Sequence, residues 1–255
     1  MFWCDVQRDS ILATGADAAT FLQSQLSQDL RPLQPGSSAW SFVLSPTGKV
    51  DSLVRVLRRD EETFVLDTDA GFGDALLARL SRFKIRVAVE FTSIERRIVA
   101  VRPLPGETVD NPAVPDPAGG VLVAWGNGYD LDVSDSSDVL DRLATGSEAQ
   151  LHLVRVEACW PAMGAEIVPG DTVPAETGIV DAAVSFTKGC YPGQELVERM
   201  DSRGARAPYR LETVDVAVGA SVGDDVVVEG EVVGRVTSVA DGRAIARVRR
   251  SAAVA

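Results

Sequence analysis

Residues 103–120 constrain this chain more than any other stretch, because Pro103, Pro105, Pro112, Pro115 and Pro117 are interleaved with Gly106, Gly119 and Gly120. Each proline removes a backbone donor and fixes φ, so neither a helix nor a central strand survives that density. The segment is a loop or linker, and it divides the chain. A second change of texture falls near Leu211, after which valine and glycine dominate. Short apolar runs at 213–218, 225–228, 232–239 and 244–248 read there as strands of a small β-barrel. Four regions follow: a first α+β region over 1–102, the linker over 103–120, a second α+β region over 121–205, and the barrel over 206–255.

Between these breaks the apolar period alternates between two and 3.6. Ile11-Leu12-Ala13-Thr14 reads as a strand, and Gly15-Ala16-Asp17 opens a helix that aligns Ala18, Phe21, Leu22 and Leu26, with Asp17 as its cap. Residues 38–58 form a hairpin about Ser45-Pro46-Thr47-Gly48. A strand at 63–66, a helix at 72–83 with Leu76, Leu77, Leu80 and Phe83 inward, and strands at 86–90 and 97–101 complete the first region. In the second, Gly126-Asn127-Gly128 turns a hairpin between 121–125 and 129–133, and helices are expected at 135–143 and 148–159. Hairpins interleaved with helices fit an α+β layer architecture rather than parallel βαβ units.

Hydrophobic residues make up 45% of the 255 and charged residues 24%, a globular balance that disfavours disorder. The N-terminus, Met1-Phe2-Trp3-Cys4-Asp5, has no basic stretch followed by an apolar one, and no apolar run approaches about 18 residues. A cytoplasmic location and no membrane partner are expected. The net charge of −12 disfavours direct nucleic-acid binding, which relies on a basic face. Cys4, Cys159 and Cys190 are odd in number and far apart, which speaks against a disulfide framework. With His152 as the single histidine, no self-contained metal site is expected. Set beside Leu151, Leu153 and Val154, His152 reads as a helix-packing residue rather than a base.

Chemistry concentrates in Lys188-Gly189-Cys190-Tyr191-Pro192-Gly193-Gln194-Glu195. Gly189 and Gly193 allow positive φ or a close approach, and Pro192 stiffens the bend, so Cys190 is presented rather than packed. A short helix from Gln194 to Met200 would bring free N–H groups near the sulfur, and these with Lys188 would favour thiolate. A structural cysteine in a tight strand-to-helix turn is the alternative these residues leave open. Downstream, Arg199, Arg203, Arg206 and Arg210 make a basic spot on an acidic chain, suited either to a small anionic ligand or to a solvated helix end.

The octet resembles the Lys-Gly-Cys-aromatic-x-Gly-Gln-Glu signature of the YgfZ family, relatives of the T-protein (aminomethyltransferase) of the glycine cleavage system. The likeness covers most of the chain. Residues 11–26 are similar to that superfamily's opening strand, Gly-x-Asp-Ala and helix. Gly164-Ala165-Glu166 and Val173-Pro174-Ala175-Glu176-Thr177-Gly178 are similar to its Gly-x-Glu and Pro-x-Glu-x-Gly elements. The resemblance implies an α+β, T-protein-like fold of two intertwined, ferredoxin-like subdomains plus a small C-terminal β-barrel, with tetrahydrofolate between the subdomains. It implies that Glu176 accepts hydrogen bonds from the pterin, although a surface carboxylate is its other reading. Lys188, Tyr191 and Arg199 would help to hold the cofactor, the basic stretch would meet its glutamate tail, and Gly189, Gly193, Gln194 and Glu195 would shape the motif.

One departure matters. The T-protein's Gly-Gly-x-x-Asp-Asp element corresponds here to Thr47-Gly48-Lys49-Val50-Asp51-Ser52, so a single aspartate remains. Asp51 either touches the ligand or faces solvent on an alternating strand. Aminomethyl transfer is weakened accordingly. The function implied is a tetrahydrofolate-binding accessory protein for iron–sulfur cluster assembly or repair, meeting assembly or client proteins through Cys190, and more an assembly factor than an enzyme. A folate-dependent one-carbon transferase and a redox-thiol interaction scaffold are the alternatives.

Overall fold

The computed structural model describes residues 1–103, 121–126, 128–133, 140–202 and 207–252. The proline-rich segment beyond Pro103, Asn127, the start of the helix expected at 135–143, Arg203 and Arg206 lie outside the described residues. Strands β1 (Phe2–Val6) and β2 (Arg8–Thr14) lead into α1 (Ala18–Gln25), β3 (Ser38–Leu44), β4 (Val50–Arg58), β5 (Thr63–Asp69), α2 (Gly73–Arg82), β6 (Glu90–Ile94) and β7 (Ile98–Arg102). Five of these form an antiparallel sheet in the order β3-β4-β5-β2-β6. Its central strand β4 is buried on both faces almost throughout, with Ser52 and Arg55 buried among its apolar residues. Val54, Val56, Phe64 and Leu66 meet Phe21, Leu22, Leu76 and Leu80 of the two helices, while Leu57 and Val65 turn to the opposite face.

A second sheet lies against that opposite face. Its strands β8 (Val121–Leu122), β9 (Tyr129–Asp132) and β10 (Ala144–Thr145) combine with β1 and β7 in the order β10-β1-β7-β9-β8, so it draws on both sides of the proline-rich segment. Leu57 and Val65 pack on Ile98 and Leu122 between the sheets. Beside them runs a buried ion network. Asp67 is held by Arg8 and, at 3.1 Å, by Arg55; Arg55 also reaches Asp130 at 2.5 Å, and Arg102 meets Asp130 at 2.8 Å. Removing any one member would strand a buried charge, a loss of about 3–5 kcal/mol.

The remaining elements are α3 (Glu148–Glu157), α4 (Val180–Ala183), α5 (Gln194–Ser202) and strands β11 (Tyr209–Asp215), β12 (Asp225–Val228), β13 (Glu231–Ala240) and β14 (Arg243–Arg249). The last four make an antiparallel sheet ordered β11-β14-β13-β12, on which α3 packs through β13 and β14. The architecture is α+β. No helix among the described residues is long and apolar enough to cross a membrane.

Five local expectations need correction. The strand expected at 86–90 begins only at its last residue and runs Glu90–Ile94, because the backbone of Ala88 is already engaged. Ala88 donates to Asp17 Oδ2 at 2.7 Å and accepts from Asp17 N at 3.1 Å. The Asp17 side chain therefore clasps Ala88 and makes no capping bond to α1. A Cβ on Gly15, at φ +130°, would sit 2.2 Å from the Ala88 oxygen. Strand β8 is shorter than 121–125, and Leu140–Arg142 is a single 3₁₀ turn. Helix α3 stops at Glu157, and Cys159 beyond it has φ +51°. Its start is set by a capping box, Ser147 with Gln150.

Candidate functional site

The octet is anchored at both ends. Before it, Ser27 Oγ donates to Ala183 O at 2.6 Å and Ser185 N to Ser27 O at 2.9 Å, joining the end of α4 to the turn after α1. Lys188 completes the joint. Its Nζ donates to the carbonyls of Gln23 at 2.6 Å, Leu26 at 2.5 Å and Gln28 at 3.1 Å, which uses all three ammonium hydrogens. Burial pulls this amine down to about 8 and Asp29 acts the other way, while the three carbonyls hold the ammonium form. The side chain is a fastener to the α1 turn. Its charge is committed there and not to the thiol.

After Cys190 the chain is fixed again. Tyr191 is buried in a cluster with Leu44, Met163, Ile167 and Val197, and its backbone N–H donates to Gln194 Oε1 at 3.3 Å. Burial, and then Glu198, push its phenol up to about 12. Gly193, at φ +81°, packs on the β3–β4 turn so closely that a Cβ would lie 2.6 Å from Ser45 O and 2.9 Å from Gly48 Cα. Reciprocally, a Cβ on Gly48 would lie 2.5 Å from the Leu196 Cβ. Gly189 differs. Its φ is not left-handed, and open space stands where a side chain would project. Between these anchors Cys190 is exposed, whereas Cys4 is buried and Cys159 half-buried, with burial raising both thiols.

Asp51 lies on β4, just after the same β3–β4 turn. Its carboxylate meets Arg79 Nε of α2 at 3.0 Å, and Arg79 Nη2 also donates to Leu44 O at 2.8 Å. Ser52, in the place of a second aspartate, is buried with its hydroxyl 3.1 Å from Thr68 Oγ1.

Glu176 closes a 3₁₀ turn, Pro174–Glu176, and is 5% exposed. Its Oε2 takes Arg247 Nη2 at 3.0 Å, and that guanidinium stacks on Tyr209 at 3.8 Å from the ring centre. Its Oε1 has no hydrogen-bond partner among the described residues. Pro174 and Ala175 wall a cavity of about 270 Å³ together with Leu196, Val197 and Met200 of α5 and with Arg250. Arg250 steadies this wall by donating to Ala175 O at 3.1 Å and Ala207 O at 3.0 Å. The Pro-x-Glu turn and the helix that follows the cysteine are therefore neighbours across one cavity.

Of the four expected arginines, Arg199 and Arg210 lie among the described residues, and each is engaged within the chain. Arg199 is exposed and pairs with Glu195 one turn away on α5, while Arg210 binds Glu212 at 2.6 Å and the carbonyls of Arg250 and Ala252. Arg247, Arg250 and Arg79 are the arginines that meet Glu176, the cavity wall and Asp51, and no local pattern marks them, since each meets a partner more than 25 residues away. His152 packs as expected, with Nε2 3.0 Å from Val239 O. Among the described residues no group of three or more His, Cys, Asp or Glu side chains is arranged to hold a metal ion.

No protein-family model matches the chain. It is 30% identical over 244 residues to the mouse (Mus musculus) protein named iron-sulfur cluster assembly factor IBA57, mitochondrial, covering 85% of this chain and 68% of that one. It is 27% identical over 249 residues to the tRNA-modifying protein YgfZ of Edwardsiella ictaluri, covering 83% and 74%. Its fold matches the crystal structure of glycine cleavage system aminomethyltransferase T from Bartonella henselae with a TM-score of 0.72, over 97% of this chain and 78% of that one, at 19% identity. The chain belongs to the YgfZ/IBA57 family, whose fold is that of the glycine-cleavage T-protein.

Proposed function

We propose that this protein binds a reduced folate beside α5 and serves the assembly or repair of iron–sulfur clusters, with Cys190 as its point of contact with assembly or client proteins. One observation carries the reading: Pro174 and Ala175, which lead directly into Glu176, and the helix following Cys190 wall a common cavity, and the thiol stands exposed on an otherwise pinned loop. The donor set suits the pterin end of a folate. Glu176 has one oxygen held by Arg247 and one with no hydrogen-bond partner among the described residues, in surroundings dry enough to strengthen a bond to an N–H. A volume of about 270 Å³ falls just below the range of drug-sized pockets, so it would take a ring while the p-aminobenzoyl-glutamate tail lies outside.

The arrangement favours an assembly factor over a transferase. Asp51 is engaged by Arg79, and Ser52 by Thr68, so the paired aspartates that aminomethyl transfer calls for are replaced by an ion pair and a hydroxyl pair. Calorimetric titration with tetrahydrofolate tests the first half of the proposal. Binding should weaken about tenfold in Glu176→Gln, the factor that ~1.4 kcal/mol represents. Absence of both heat and thermal protection at saturating tetrahydrofolate would remove the folate.

A further inference from the structure

The ladder between β2 and β6 ends early. Strand β5 pairs with β2 as far as Arg8, but β6 pairs with it only from Thr14 to Ser10, so the second edge of β2 is open at Arg8 and Asp9. A cavity of about 520 Å³ occupies this gap, bounded by β2, the end of β6 and the start of α2. Two buried donors that line it have nothing to bind. Ser10 is 3% exposed, and its hydroxyl has no hydrogen-bond partner among the described residues. The Arg96 side chain is as deeply buried. Its Nε and Nη2 donate to Asp132 Oδ2 at 3.1 and 2.6 Å, while Nη1 makes no hydrogen bond and stands 3.5 Å from Asp67 Oδ2. Buried donors are as a rule bonded, so two exceptions on one cavity call for a physical reason.

Charge around the gap identifies the occupant. The two arginines bring no free charge, since Arg8 is held by Asp67 and Asp69, and Arg96 by Asp132 and Asp67. The carboxylates of the gap, by contrast, have no cation. Asp9 Oδ2 accepts from Gly71 N at 2.9 Å and Gly73 N at 2.7 Å, which leaves Oδ1 unbonded. Asp74 and Glu95 are exposed and make no hydrogen bond or ion pair among the described residues. These acids are not arranged to hold a metal ion. The gap thus offers buried N–H and O–H donors at its base and three uncompensated carboxylates towards its mouth. Phosphate would be repelled by the carboxylates, and a plain amine would leave the buried donors unmet. We propose that the gap binds a basic α-amino acid, whose carboxylate accepts from Ser10 and Arg96 while its two cationic groups meet Asp9, Asp74 and Glu95. The volume falls within the roughly 300–1,000 Å³ of small-molecule sites. No lining residue is shared with the cavity beside α5, so this site stands or falls independently of the folate.

The probe is L-lysine, titrated into the full chain by calorimetry beside cadaverine, which lacks the carboxylate, and L-norleucine, which lacks the side-chain ammonium. L-Lysine should bind, and each analogue should bind at least about tenfold more weakly, because each leaves one half of the gap unpaired. Ser10→Ala should weaken L-lysine about tenfold while the unfolding midpoint holds or rises, since it removes a buried hydroxyl that bonds to nothing in the free protein. Asp74→Asn/Glu95→Gln alters two exposed side chains and should weaken L-lysine while leaving L-norleucine unchanged. Cadaverine binding as tightly as L-lysine would reduce the effect to surface charge and overturn the proposal. So would unaltered L-lysine binding in Ser10→Ala, or no heat from L-lysine at millimolar concentration, which would make the gap a notch filled by water alone.

Discussion

The two glycines of the octet should respond in opposite ways to a single methyl group. At Gly193, φ is +81°, a conformation that costs an alanine about 1–2 kcal/mol. Its Cβ would also lie 2.6 Å from Ser45 O and 2.9 Å from Gly48 Cα, and both are backbone atoms that move only with the β3–β4 turn. Forcing such a turn aside costs about a further 1–3 kcal/mol. Gly193→Ala should therefore lose about 2–5 kcal/mol of stability, and at an m-value of ~3 kcal/mol/M its urea midpoint should fall by about 0.7–1.7 M. At Gly189 the φ is unstrained and nothing stands within 4 Å of the added carbon. Gly189→Ala should be neutral or up to about 1 kcal/mol stabilising, because alanine restricts the unfolded chain. Urea unfolding of both variants, followed by tryptophan fluorescence, decides the matter. Equal losses at both positions, or a Gly193→Ala loss under about 0.5 kcal/mol, would refute the claim that the octet turn is braced against the hairpin.

Glu166 is 3% exposed and accepts from Arg155 at 2.9 Å, Ala162 N at 3.0 Å, and Thr237 and Ser238 at 2.7 Å each, so Glu166→Ala should lose about 3–5 kcal/mol and speed amide exchange at 237–238 before the first sheet. Tyr191 titrates near 12 when folded and near 10 when unfolded, so the native state retains more protons between those values. Its contribution is intact below pH 10 and is lost as pH rises towards 12, and the stability gap between wild type and Tyr191→Phe should shrink over that window. Cys190→Ala alters an exposed side chain and should move the unfolding midpoint by no more than about 0.5 kcal/mol, while client iron–sulfur enzymes in cells lose activity. Unchanged client activity would remove Cys190 from the proposed role.

What the sequence discloses and what it conceals divide along a physical line. Readings that depend on backbone period hold well: β12 falls at the expected 225–228, α5 begins at Gln194, and the Ser45–Gly48 turn joins two paired strands. The capping box of Ser147 and Gln150 was equally local and was open to reading. β1 was not, because its edge is set by pairing with β7 almost a hundred residues later. Long charged side chains are harder still. Lys188 looks like a companion to the thiol beside it, yet it spans 160 residues of sequence to close the end of α1, and Glu176 is claimed by an arginine of β14.

That concealment bears directly on the motif. Periodicity constrains where a Cβ points, but a lysine or arginine reaches several ångströms further and settles wherever buried carbonyls or carboxylates need a cation. Within the octet, Lys188, Tyr191, Gly193 and Gln194 each act on the scaffold: one binds the α1 turn, one fills the core, one seats the hairpin turn and one holds the bend. Gly189 and Cys190 alone combine solvent exposure with open surroundings or a reactive atom. Four of the eight residues thus brace the bend on which Cys190 stands exposed, and variants at those positions should fail through stability, whereas Cys190→Ala, on the proposed role, should fail through function alone.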